Sequence, residues 1–137
     1  MSYFLAQVIK YLIGIVGITV VVLIHELGHF VAARICGIDV EVFSFGFGPR
    51  LIGKHIGDLD LRLSLFPVGG YCRLKGSDDV RQSLRNEQSL FLEEGSIFAA
   101  SPIRRTITYL AGPVASFLLA LLIYTILSLM PYEVPST

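Results

Sequence analysis

Charge is scarce in this sequence. Of 137 residues only 16% are Asp, Glu, Lys or Arg, against 53% hydrophobic, which is far from the balance of a soluble domain of this length. Tryptophan is absent and cysteine occurs only twice. Two cysteines, Cys36 and Cys72, exclude a disulfide framework and a Cys-rich metal site, and they read as free thiols on a reducing, cytoplasmic face. Ten of the eleven Lys and Arg residues fall between Arg34 and Arg105, yet they form no polybasic arm, so the sequence points to no nucleic-acid partner. Internal repeats, low-complexity tracts and a Gly-rich phosphate loop between strand and helix are also missing.

What is there in abundance is uninterrupted apolar sequence. The first run extends from Tyr11 to Ala33, behind a mostly apolar lead-in that contains Lys10, and at about 1.5 Å per residue it covers roughly 35 Å. A signal peptide would also be N-terminal and apolar. This run lacks the closing small-x-small site, and it carries His, Glu and His, so it reads as a membrane span. The second run, Ile107 to Met130, holds no charged residue and ends at Pro131. Ser101 is placed to cap its helix with Pro102 at the first helical position, and Arg104 and Arg105 mark its aqueous end. The Lys and Arg distribution puts loop 36–106 in the cytoplasm and both termini outside, in a multi-pass protein of the cell (inner) membrane.

Between the runs the periodicity changes. Asp58 to Leu65 alternates polar and leucine without a fault, the pattern of a half-buried strand. Val40, Val42, Phe43, Phe45 and Phe47 suggest one or two further short strands, with turns expected at Gly46–Pro49 and between Gly53 and Gly57. Pro67, Gly69 and Gly70 are expected to close the leucine-rich strand, and Tyr71 to Leu74 to resume it. The expected fold is therefore α-helical, with two transmembrane helices and a small membrane-associated antiparallel β-sheet in the connecting loop. That sheet is too thin for a core of its own and must rest on the helices or the bilayer. The resulting division is 1–35 for the lead-in and first helix, 36–75 for the β region, 76–106 for a polar interfacial loop, 107–130 for the second helix and 131–137 for an extracytoplasmic tail. The polar stretch from Gly76 to Gly95 fits either a weakly amphipathic helix or a solvated loop.

Inside the first run stands His25-Glu26-Leu27-Gly28-His29. Ionisable groups at this depth are costly and mark functional sites by default. Residues four apart lie about 40° from each other around a helix, so His25 and His29 present their imidazoles to one point, with Glu26 on the adjoining surface. Such a pair is suited to Zn²⁺, and such a carboxylate to the general base of a hydrolase. The two histidines lie nine and five residues before Arg34, and Gly112-Pro113 lies seven and eight after Arg105, which puts all four at a similar depth. Gly112, Pro113 and Ser116 are thus either adjacent to the site or part of an ordinary proline kink with small-residue helix packing.

His-Glu-x-x-His in a first apolar helix, Phe45 to Leu51, Phe66 to Tyr71 and Ala111-Gly112-Pro113 follow one another in an order that resembles the site-2 protease family of intramembrane zinc metalloproteases, nearest its bacterial RseP-type members. The resemblance spans nearly the whole chain. It implies a zinc endopeptidase that cuts transmembrane segments of anti-sigma factors or remnant signal peptides within the lipid bilayer. His25 and His29 would be ligands and Glu26 the base, and Leu59 to Tyr71 would resemble the family's β-loop. In that case Leu61, Leu63, Gly69, Gly70 and Tyr71 are the candidates for contact with an unwound transmembrane peptide substrate. A sheet edge could hold such a substrate extended, and the sheet could equally be a plug that restricts water.

Two departures stand out. Ser116 occupies the position of an Asn in the family's second-helix motif. The family's third ligand, an Asp on a later helix, has no counterpart up to Thr137, and Asp58, Asp60 and His55 lie on the polar strand face or in a polar loop. The expectation is an N-terminal portion that is inactive alone, its third ligand lying in a C-terminal region outside this sequence. The alternatives are a membrane adaptor that keeps the fold without catalysis, and a metal-binding or transport protein.

Overall fold

The computed structural model describes residues 2–77 and 93–130. Two long helices flank a pair of strands. The first helix, α1 (Ser2–Ile35), begins well before Tyr11 and runs through Lys10 without a break. It stops where Gly37 turns to φ 69°. There Ile38 N–H bonds Ala33 O at 2.8 Å and Gly37 N–H bonds Arg34 O at 3.3 Å, the paired closure of a Schellman motif. The second helix, α2 (Pro102–Leu129), has Pro102 in its first turn and Ser101 at its cap, but the Ser101 hydroxyl makes no capping bond. Arg105 secures the entry instead. Its guanidinium donates to Phe98 O at 2.7 Å and to Ala100 O at 2.8 Å, tying the loop to the first turn.

Both helices are long and apolar enough to cross a membrane, and only 6% of the most apolar window of each is buried within the chain. A soluble core helix with these side chains would be covered. Here Phe4, Leu118 and Leu129 stand 74%, 57% and 80% exposed, and hydrocarbon is the solvent that suits them.

The strands are β1 (Val40–Ile56) and β2 (Leu59–Leu74), an antiparallel pair. Each folds back on itself. Val42–Phe45 pair in ascending order with Asp60–Leu63, whereas Ile52–Ile56 pair with Leu63–Leu59 in descending order, so the chain reverses at the expected Gly46–Pro49 turn; Gly70–Arg73 likewise run opposite to Asp60–Leu63, so it reverses again around Pro67–Gly69. Gly46, at φ 88°, opens the first of these reversals, and a side chain there would collide with Phe66 O. Gly57-Asp58 makes the tight turn between β1 and β2, at the end of the expected Gly53–Gly57 turn.

Because the chain folds back within each, segments are paired on both sides. Val42 to Phe45 pair on one side with Arg73 to Gly70 and on the other with Asp60 to Leu63, which pair in turn with His55 to Ile52. Lys54, Leu61, Phe43 and Cys72 therefore share one row across the sheet. Phe43 meets Phe30 of α1, so this is the face on which the helix lies. The opposite face is polar: Ser44 and Ser64 are buried and share a 2.9 Å hydrogen bond, while Asp60 lies 3.3 Å from Arg50 and 3.7 Å from Arg62.

The small core forms where α1 ends, from Ala33, Ile38, Val40, Leu59, Leu74 and Ile97. From there β2 climbs beside α1. Pro67 O lies 3.5 Å from the Thr19 hydroxyl, and added Cβ atoms at Gly69 and Gly70 would stand 3.5 Å from Val22 and 3.1 Å from Leu23. Thr19 precedes Ile35 by sixteen residues, about 24 Å of helix, so the sheet reaches deep alongside the first span. The polar stretch for which helix and loop both stood as expectations falls mainly on 78–92, outside the described residues, as does the expected tail 131–137.

Candidate metal centre

Helical spacing brings His25 and His29 together: their rings meet edge to face with centroids 4.8 Å apart, and their Nε2 atoms are 3.2 Å apart. The opposite ring nitrogens face α2. His29 Nδ1 lies 2.8 Å from the main-chain oxygen of Thr108, and His25 Nδ1 lies 3.0 Å from the Ser116 hydroxyl. A carbonyl oxygen only accepts, so His29 carries its proton on Nδ1 and presents a bare lone pair at Nε2. The Ser116 hydroxyl can accept from His25 Nδ1 or donate to it; when it accepts, both rings turn bare Nε2 lone pairs toward one another across 3.2 Å, and a cation between them relieves the repulsion. Zinc bound tetrahedrally at roughly 2.0–2.1 Å by two imidazoles would hold them about 3.3 Å apart, so the pair fits that ion.

Gly112 makes room for this. A Cβ at position 112 would stand 2.6 Å from His29 Cε1 and 2.8 Å from His25 Nε2, so any side chain would intrude on the histidine pair. Pro113 follows it inside α2 and has no N–H for the carbonyl of Tyr109, one turn earlier. Gly28, on the other side of the ligand turn, brings the helices close: a Cβ there would lie 2.5 Å from Ala111 O and 2.8 Å from the Ala115 methyl.

Glu26 points toward the sheet. Its Oε2 accepts a 3.0 Å hydrogen bond from the backbone N–H of Cys72. Glu26, His29, Cys72, Leu74 and Tyr109 enclose a cavity of about 200 Å³. The Cys72 thiol is pushed up to about 12, first by burial and then by the Glu26 charge, so it stays neutral beside that carboxylate.

The other candidates from the sequence divide into two groups. Gly69 and Gly70 lie against α1 one to two turns before His29, and Tyr71 accepts a hydrogen bond from Arg62 on the polar face. Leu61 and Leu63 sit elsewhere, over a hollow of about 410 Å³ shared with Phe43, Phe45 and Ile52, and their stretch of strand is already paired on both sides. Among the described residues no group of three or more His, Cys, Asp and Glu side chains is poised to hold a metal. Two partners were not foreseen from the sequence, the Thr108 carbonyl and the Cys72 amide. Both are main-chain groups, which no residue type advertises.

A sequence profile of Peptidase family M50 matches residues 13–136. The chain belongs to this family. Several curated proteins are similar over most of the chain, each carrying the name "Putative zinc metalloprotease". One from Treponema pallidum is 43% identical over 121 residues, 88% of this chain and 27% of the relative. One from Campylobacter jejuni is 40% identical over 119 residues, 87% of this chain and 31% of the relative. One from Chlamydia trachomatis is 38% identical over 122 residues, 88% of this chain and 20% of the relative. The chain therefore spans only a fifth to a third of the length of these relatives.

Proposed function

We propose that this M50 chain carries two of the ligands and the general base of an intramembrane zinc endopeptidase. The observation that bears most weight is the pair of Nε2 atoms 3.2 Å apart, with Glu26 on the neighbouring surface and Gly112 leaving the space before them open. His25 and His29 hold the metal, kept in the required tautomer by Ser116 and the Thr108 carbonyl. Zinc, when bound, supplies Lewis acidity toward water and the scissile carbonyl. Glu26 takes the proton of the attacking water and returns it to the leaving amine. The third ligand comes from beyond the described residues, and these residues alone are inactive.

The substrate is a transmembrane segment, of the anti-sigma-factor or remnant-signal-peptide kind that the family resemblance suggests. A helical peptide bond is shielded by its own hydrogen bonds and must be drawn out before attack. Gly70 to Leu74, paired on one side only, offer an edge for that at the height of Glu26. The protein lies in the cell (inner) membrane with loop 36–106 cytoplasmic.

The test is Glu26→Gln in the full-length protein in native membranes. Cleavage of a transmembrane reporter is expected to vanish while bound zinc stays at the wild-type level. Cleavage near the wild-type rate would remove Glu26 from the mechanism, and zinc retention without any cleavage by wild type would favour a binding role.

A further inference from the structure

The Cys72 N–H is the point at which the base and the sheet compete. Among the described residues the strand partner of Gly70 to Leu74 is β1: Gly70 with Phe45, Tyr71 with Ser44, Cys72 with Phe43, Arg73 with Val42 and Leu74 with Val40. The Cys72 N–H points away from that ladder, to Glu26 Oε2 at 3.0 Å. At a sheet edge lying beside a membrane span, an unpaired N–H is costly, and the carboxylate satisfies it. A peptide adding to the same edge needs the same donor, because donors recur at every second residue along a strand and Cys72 is the one level with His29. Both cannot have it.

We propose that the Cys72 amide is exchanged between two acceptors: it holds Glu26 while the site is empty, and it passes to a carbonyl of an extended apolar substrate, releasing Glu26 to act as base. This rests on the protease reading above and adds to it a coupling between strand addition and base release. The cavity of about 200 Å³ beside this amide, lined by Cys72, Leu74 and Tyr109, is sized for one medium aliphatic side chain of the peptide.

Peptide binding to the full-length protein in nanodiscs tests the exchange. The probe is an apolar peptide with a ketomethylene group in place of the scissile amide, which keeps the carbonyl and resists hydrolysis. If the peptide must displace Glu26, Glu26→Ala binds it about tenfold more tightly than wild type, with Glu26→Gln in between. In wild type carrying ¹⁵N-cysteine, saturating peptide moves the Cys72 amide resonance. Equal or weaker binding by Glu26→Ala, or an unmoved Cys72 resonance at saturation, overturns the exchange while wild-type cleavage leaves the protease reading intact. No binding by any form, together with no cleavage by wild type, overturns both.

Discussion

The backbone N–H of Cys72 and the carboxylate of Glu26 are joined by a 3.0 Å hydrogen bond, linking the far end of a β-strand to the residue next to the first metal-ligand candidate. One consequence concerns the thiol of the same residue. With its titration pushed up to about 12 by burial and by Glu26, Cys72 is neutral across the physiological range. A raised folded-state value means that stability drawn from the neutral thiol is intact below the ordinary cysteine range and is lost as pH climbs toward 12. Alkylation at pH 8, read by mass spectrometry, is expected to label Cys36 and to spare Cys72. Labelling of Cys72 should rise about tenfold per pH unit from there, and should be faster in Glu26→Gln.

Gly112→Ala places a methyl group within 2.8 Å of His25 Nε2, where the metal must be approached. Zinc stoichiometry of the full-length variant is expected to fall well below wild type, at a stability cost of about 1–3 kcal/mol for the overpacking. Wild-type zinc content with unchanged stability would mean that the helices part easily at this point.

Ser116→Ala takes away the partner of His25 Nδ1. Loss of such an orienting hydrogen bond weakens metal binding or activity by about 10–100-fold. Competition with a chelator measures the change, and Ser116→Thr, which keeps a hydroxyl, is expected to recover most of it.

Gly28→Leu leaves every ligand untouched but forces the helices apart, since even a Cβ at this position lies 2.5 Å from Ala111 O. Zinc binding is expected to drop because His29 loses the Thr108 carbonyl and His25 loses Ser116. A disulfide engineered across α1 and α2 should form more slowly in the variant, which separates helix spacing from ligand chemistry.

The legible parts of this molecule were those in which a side-chain type repeats at a fixed period. The i, i+4 histidines needed only helical geometry to converge, and counting residues from Arg34 and Arg105 brought Gly112 to their level. The alternation of Asp58 to Leu65 likewise announced a strand with two unlike faces. Gly46, Gly48 and Pro49 have the composition of a turn, and the chain does fold back there. Which segments then lie side by side was not legible, because pairing is a tertiary fact. That Leu61 and Leu63 lie on a segment paired on both sides was not legible either, since period two gives the face of a strand and says nothing of which edge is open.

The ligand turn has a history as well as a geometry. The chain is made from its N-terminus, so α1 exists before α2, and His25 and His29 reach the bilayer without Ser116 or the Thr108 carbonyl to set their tautomers. A metal captured at that stage would meet imidazoles free to turn either nitrogen toward it. Only when Gly28 comes to rest on Ala111 are the two rings locked. The fixed pair of imidazoles is thus a product of helix docking and not of the first helix alone.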